Sequence, residues 1–146
     1  MDGELIHRHG LSISSDIFVC NTARERNFAF VLADAGFDVW LANTRGNKYS
    51  KNLPGLDGSK EERLKFWQFS FDHMAKYDVP AVVDYILNKT GQFSLAYIGY
   101  SQGTSKVFAA LSISEDLNKK ISQVIALAPA LRPQRKFNFN NISYRQ

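Results

Sequence analysis

Histidine is scarce in this chain and occurs only early, at positions 7, 9 and 73. Cysteine is scarcer. Cys20 stands alone, which excludes an internal disulfide and any zinc site built on cysteine thiolates; it reads as a small apolar filler. The histidines are too dispersed to form a ligand set, so no metal is expected and all three read as surface side chains. Neither G-x-G-x-x-G nor a P-loop occurs, and Asn88-Lys89-Thr90-Gly91 lacks the glycine spacing of one; no cofactor is expected. The acids show no pairing suited to glycoside hydrolysis. No apolar run approaches the ~20 residues of a membrane span. The first ten residues are too polar for a signal peptide. The expected location is cytoplasmic, or peripheral to a membrane or lipid droplet.

What is present describes a globular domain. The 146 residues suit one domain, and 45% hydrophobic with 13% aromatic content is too apolar for a disordered chain. The net charge of +4 is local: residues 132–146 carry Arg132, Arg135, Lys136 and Arg145 and no acid, and the remainder balances. We therefore expect a domain over 1–131 and a basic, poorly ordered tail over 132–146. Four dispersed charges are too weak a patch for a nucleic-acid partner, and none is expected.

The hydrophobic pattern alternates between strand and helix. Residues 4–9 make a poor, clipped strand. Phe28, Val31, Leu32 and Ala35 form a core-facing helical stripe that Gly36 ends. Residues 37–43 read as a strand and 44–60 as a loop, with Arg45 in a structural ion pair. Ser59 and Glu62 have capping-box spacing. The aromatics of 64–71 read either as core packing or as the wall of an acyl-chain pocket. Asp78 is placed to cap a helix that carries Pro80 in its first turn, with Val79, Val82, Val83, Ile86 and Leu87 on one face and Gly91 at its end. Residues 93–99 are a buried strand, Val107, Phe108 and Leu111 the apolar side of a helix, and 121–127 the last strand. This order predicts an α/β fold, a mostly parallel sheet flanked by helices, with exposed sheet edges.

One motif carries chemistry. Gly99-Tyr100-Ser101-Gln102-Gly103 is G-x-S-x-G between a strand and a helix, the setting of a nucleophile elbow. The elbow holds its serine in a strained turn, so small residues are needed on both sides, and Gly99 and Gly103 supply them. Ser101 is the candidate nucleophile and the Gln102 amide, at the helix N-terminus, a candidate oxyanion donor. Gly10 in His9-Gly10-Leu11 allows close backbone approach, which makes the Leu11 amide the second candidate. Glu115 and Asp116, the only acids after Ser101, fall at the far end of the following helix, ~20 Å away at 1.5 Å per residue. His9 is the one imidazole near the serine by position, with no orienting acid.

Four blocks together resemble a known family. His9-Gly10-Leu11, the W-L-A-N-x-R-G-N run at 40–47, the F-W-x-F-S-F-D run at 66–72 and Gly99-Tyr100-Ser101-Gln102-Gly103-Thr104 are similar to the acid lipases, which include lysosomal acid lipase and gastric lipase. The wording is nearest the fungal steryl ester hydrolases. The resemblance covers roughly residues 7–131. It implies an α/β-hydrolase fold, present here in part, and hydrolysis of steryl esters or acylglycerols, so that a lipid ester or a lipid surface is the implied partner. It implies Ser101 as nucleophile with Leu11 and Gln102 as oxyanion donors. Family members are far longer and place a lid, the triad acid and the histidine after the serine, and fungal members often carry a membrane anchor; none of these segments is found in this sequence. Two readings follow: a serine ester hydrolase lacking its triad acid and histidine, or a non-catalytic product of a truncated paralogue or disrupted reading frame.

Overall fold

The computed structural model describes residues 3–51 and 59–131. Residues 132–146, the expected tail, and 52–58 of the expected loop lie outside these. Four strands, β1 (Glu4–Arg8), β2 (Asp38–Ala42), β3 (Leu95–Tyr100) and β4 (Ile121–Leu127), form one sheet in the order β2-β1-β3-β4, every pair parallel. Parallel pairing requires crossovers, and helices supply them: α1 (Phe28–Asp34), α2 (Lys60–Phe66), α3 (Phe71–His73), α4 (Val79–Thr90), α5 (Gln102–Ile113) and α6 (Glu115–Lys120). The chain moves from β1 to β2 on one side and then crosses back to β3 on the other. The carboxyl ends of β1 and β3 therefore form a topological switch point, the place where open α/β sheets build their sites.

The core forms where helix stripes meet strands covered on both faces. Ile6, Leu95 and Tyr97 from the sheet pack with Val79, Val83 and Ile86 of α4 and with Val107 and Ala110 of α5. Each such buried aliphatic side chain contributes roughly 1.5–3 kcal/mol. Gly36 at φ +91° and Gly91 at φ +73° end α1 and α4 in the left-handed conformation that their sequence positions predict.

Several expectations need correction. β1 is not a clipped strand: all five residues are buried between two neighbours, because pairing on both edges compensates for a polar sequence. On α1 the expected core stripe is largely uncovered, with Phe28 and Val31 about two-fifths exposed and only Ala29 buried. Cys20 is exposed rather than a filler. Phe93 is exposed, and its strand starts at Leu95. Asp78 does not cap α4; a π-helical turn, Met74–Asp78, runs directly into that helix and sends the Asp78 carboxylate elsewhere. Glu115 and Asp116 start α6 instead of ending α5. The buried stripe of α5 is Gly103, Thr104, Lys106, Val107 and Ala110, while Phe108 is partly exposed.

Candidate active site

Ser101 joins β3 to α5 as the residue before the first helical turn, with φ +51° and ψ −119°. A non-glycine residue in that region carries strain of about 1–3 kcal/mol, which the surroundings must hold. Three hydrogen bonds do so. The Ser101 amide donates to the Leu127 carbonyl at the end of β4 (2.9 Å), and the Ser101 carbonyl accepts from the Thr104 amide (3.0 Å) and the Thr104 hydroxyl (2.6 Å). The flanking glycines are fixed by contact. A Cβ on Gly99 would lie 2.9 Å from the Thr104 nitrogen, and one on Gly103 would lie 2.6 Å from the Arg8 carbonyl oxygen. No side chain fits either place, so strand and helix meet at backbone distance.

Arg8 pairs with Gly99 across β1 and β3, which brings the segment after Arg8 level with the elbow. A Cβ on Gly10 would stand 3.1 Å from Cβ of Ser101 and 3.4 Å from its Oγ. Leu11 follows in an exposed turn, and Ser12 has φ +59°. Gly10, Leu11 and Gln102 all line one cleft of about 530 Å³, together with Trp67, Phe69 and Lys106. The structure thus brings Ser101, the His9-Gly10-Leu11 segment and Gln102 to one place. Of the two readings of the aromatic segment, core packing does not hold for Trp67, which is half exposed and stacks on Phe69 in the cleft wall.

Two of the three histidines are not where the sequence suggested. His7 and His9 are buried, contrary to their reading as surface residues. His9 lies in the candidate oxyanion segment, but both ring nitrogens are occupied: Nδ1 is 2.8 Å from the Gly10 carbonyl, and Nε2 accepts from the Thr44 amide and lies 3.1 Å from the Asn47 amide nitrogen. With Nδ1 donating and Nε2 accepting, His9 is a neutral ring locked in the loop. Burial, and after it the cations Lys106 and Arg8, hold its pKa below the ordinary histidine value despite the Gly10 bond. His7 is wholly buried between the Phe18 and Phe28 rings, neither nitrogen has a partner among the described residues, and burial pushes its pKa down to about 4. His73 lies on the surface, where its Nδ1 accepts from the Ser70 amide at 3.1 Å. Among the described residues, nothing hydrogen-bonds the Ser101 hydroxyl, and no group of three or more His, Cys, Asp or Glu is placed to hold a metal.

Sequence reasoning missed a cationic group in the same region. Arg8 and Lys106 are both fully buried, and both donate to the hydroxyl of Thr44, at 3.4 and 3.0 Å. Arg8 also donates to the carbonyls of Asn43 (3.1 Å) and Asp78 (2.7 Å). The Asp78 carboxylate is engaged by Arg45, whose Nε donates at 2.6 Å and whose backbone amide donates at 3.2 Å; the expected structural ion pair of Arg45 is this one. Burial, and next the Arg8 charge, depress the Lys106 ammonium to about 8. The available signal was register: Lys106 is three residues past Gly103 and four before Ala110, on the stripe that the elbow glycine turns inward.

Comparison with known proteins agrees with this geometry. The family profile described as the alpha/beta hydrolase fold matches residues 5–146. A Schizosaccharomyces pombe protein named as a probable lipase is 48% identical over 130 residues, covering 89% of this chain and 27% of that protein. Human lysosomal acid lipase/cholesteryl ester hydrolase is 48% identical over 122 residues, covering 84% of this chain and 30% of that protein. This chain therefore spans under a third of the length of these relatives. Among solved structures, an extracellular α/β-hydrolase from a Paenibacillus species aligns with a TM-score of 0.56 at 16% identity, over 86% of this chain and 40% of that one, a likeness of fold.

Proposed function

The chain belongs to the α/β-hydrolase fold family, and from that premise we propose that it carries the nucleophile and oxyanion half of a serine hydrolase for lipid esters, steryl esters or acylglycerols. The observation that carries the reading is Ser101 itself. Its strained backbone at the switch point, with Gly10 at its side, is the arrangement an acyl transfer requires. In that reaction Ser101 Oγ bonds to the acyl carbon, and the carbonyl π pair moves onto oxygen. The oxyanion is held by the amides of Leu11 and Gln102, the latter at the start of α5, where backbone N–H groups lack helical partners. Collapse of the intermediate expels the alcohol, and water releases the acid in a second step. The basic tail over 132–146 is proposed to lie outside the catalytic domain, 1–131.

The proton on Oγ needs an acceptor. His9 is committed to Gly10, Thr44 and Asn47, His7 is enclosed by aromatic rings, and His73 is bonded to Ser70. That observation favours a second reading, a folded but non-catalytic binding protein. A fluorophosphonate probe with a short-chain chromogenic ester separates the two. Under the first reading the probe labels wild-type chain and spares Ser101→Ala. A chain that melts cooperatively yet takes no label at Ser101 overturns the nucleophile assignment and leaves the second reading.

A further inference from the structure

The cleft beside Ser101 is charged in one direction. Arg45, Lys48, Lys51 and Lys106 line it, and no Asp or Glu does among the described residues. Arg45 is matched by Asp78 and Lys48 by Asp16. Lys106 has no ion-pair partner of its own among the described residues. Its one hydrogen bond goes to the Thr44 hydroxyl, an uncharged acceptor that it shares with Arg8, which is also buried and bonds only neutral oxygens. Two buried cations therefore converge on one hydroxyl, and Asp78, the carboxylate whose charge reaches Lys106, is already held by Arg45. Buried charge is retained in proteins when it is paired, so this arrangement lacks an anion. Leu11, Trp67, Phe69 and Met74 form the apolar part of the wall, beside neutral polar residues such as Ser12, Ser14 and Asn47. A ligand that satisfies both parts has one negative head and a hydrocarbon chain.

We propose that this cleft binds a fatty carboxylate, with its head group on Lys106 and its chain along Trp67, Phe69 and Met74. The inference deepens the esterase reading, because a fatty carboxylate is the acid product of that reaction, and the site then retains product after the ester bond is cut. Arg8 acts behind Lys106: through Thr44 it adds positive potential to the place where the carboxylate sits. A charge-assisted hydrogen bond in such a setting is expected to favour the anion over an uncharged analogue of equal length by about tenfold or more.

Calorimetric titration of the whole chain with octanoate and with octanol, at about pH 7 where the carboxylate is ionised, tests this directly. Octanoate is expected to bind at least about tenfold more tightly than octanol. Lys106→Met is expected to abolish that preference while octanol binding persists. Lys106→Gln, which keeps a donor without the charge, is expected to do the same and serves if the Met variant fails to fold. Equal affinity for the two ligands in the wild-type chain, no octanoate binding, or a preference that survives both substitutions overturns the proposal. The readout needs no turnover. Octanoate binding that depends on Lys106 in a chain whose Ser101 takes no phosphonate label would retain this site and remove the esterase reading.

Discussion

His7 shows how one buried side chain makes stability depend on pH. It is the next-to-last residue of β1, walled by Phe18 and Phe28, and its depressed pKa comes from burial alone. The unfolded chain binds a proton near pH 6.5 and the folded one only near pH 4, so between these values the unfolded state holds more protons and stability falls as pH falls. The full difference is about 3 kcal/mol by pH 4. Replacing the ring with an apolar side chain removes both the titration and two unsatisfied nitrogens. His7→Leu is therefore expected to match or exceed wild-type stability at neutral pH and to lose less of its melting temperature on acidification; parallel acid losses in the two proteins would contradict this. The sign for Lys106 is also that of a lowered pKa: from about pH 10.5 down to about 8 its protonation favours the unfolded chain, and the cost is complete at neutral pH. A bound carboxylate would offset that cost.

At the scale of elements, the approach of α5 to β1 and β3 is the tightest constraint, and it is made of backbone. The Cβ of Gly103→Ala would meet the Arg8 carbonyl oxygen at 2.6 Å, so β1 and α5 must separate to admit it. Gly36 offers a control, with open space around it and only its φ of +91° against a side chain. Gly36→Ala is expected to cost about 1 kcal/mol, and Gly103→Ala over 2 kcal/mol, since it meets rigid backbone in a packed core. Chemical denaturation of both variants checks the order; equal losses would mean that the elbow yields more easily than its distances indicate. The same contact explains why the elbow was legible from sequence. Glycines at fixed spacing from a serine, between a strand and a helix, encode a local geometry. The α4 face was legible for a similar reason, as a 3.6-residue repeat of aliphatics. The α5 stripe was not, because Ala109 and Ala110 blur its periodicity and a lysine occupies its centre.

For the whole molecule, the sheet decides which described residues meet at the cleft. Its order places Gly10 against Ser101 and the aromatic segment across the cleft, yet it commits His9 to holding Thr44 and Asn47. With no acceptor for the Ser101 proton among the described residues, an oxyanion hole and binding by themselves give ~10³–10⁴-fold acceleration over water. Turnover of a chromogenic ester by this chain is expected to stay within that range and to vanish in Ser101→Ala. A rate orders of magnitude higher would show that some group here accepts the serine proton. β4 has one open edge of seven residues without a charge, and Phe93 and Ile113 are largely exposed; both are places where this part of the molecule meets solvent without cover among the described residues.

The amino-acid sequence by itself determined the alternation of strands and helices, the parallel sheet, the elbow and the candidate segment that faces it. Each of these is written in short-range terms, as a period of two or 3.6 residues, a glycine at a turn, or a motif within five positions. Only the tertiary structure decided that the strand before His9 is a central one, that His7 and His9 are interior, and that Arg8, Thr44 and Lys106 meet. Those three residues are separated by 36 and 62 positions, and nothing local to any of them records the others. What joins them is the order of strands in the sheet, which sets long-range contacts by the direction of each crossover, while the periodicity of each segment reports only its own faces.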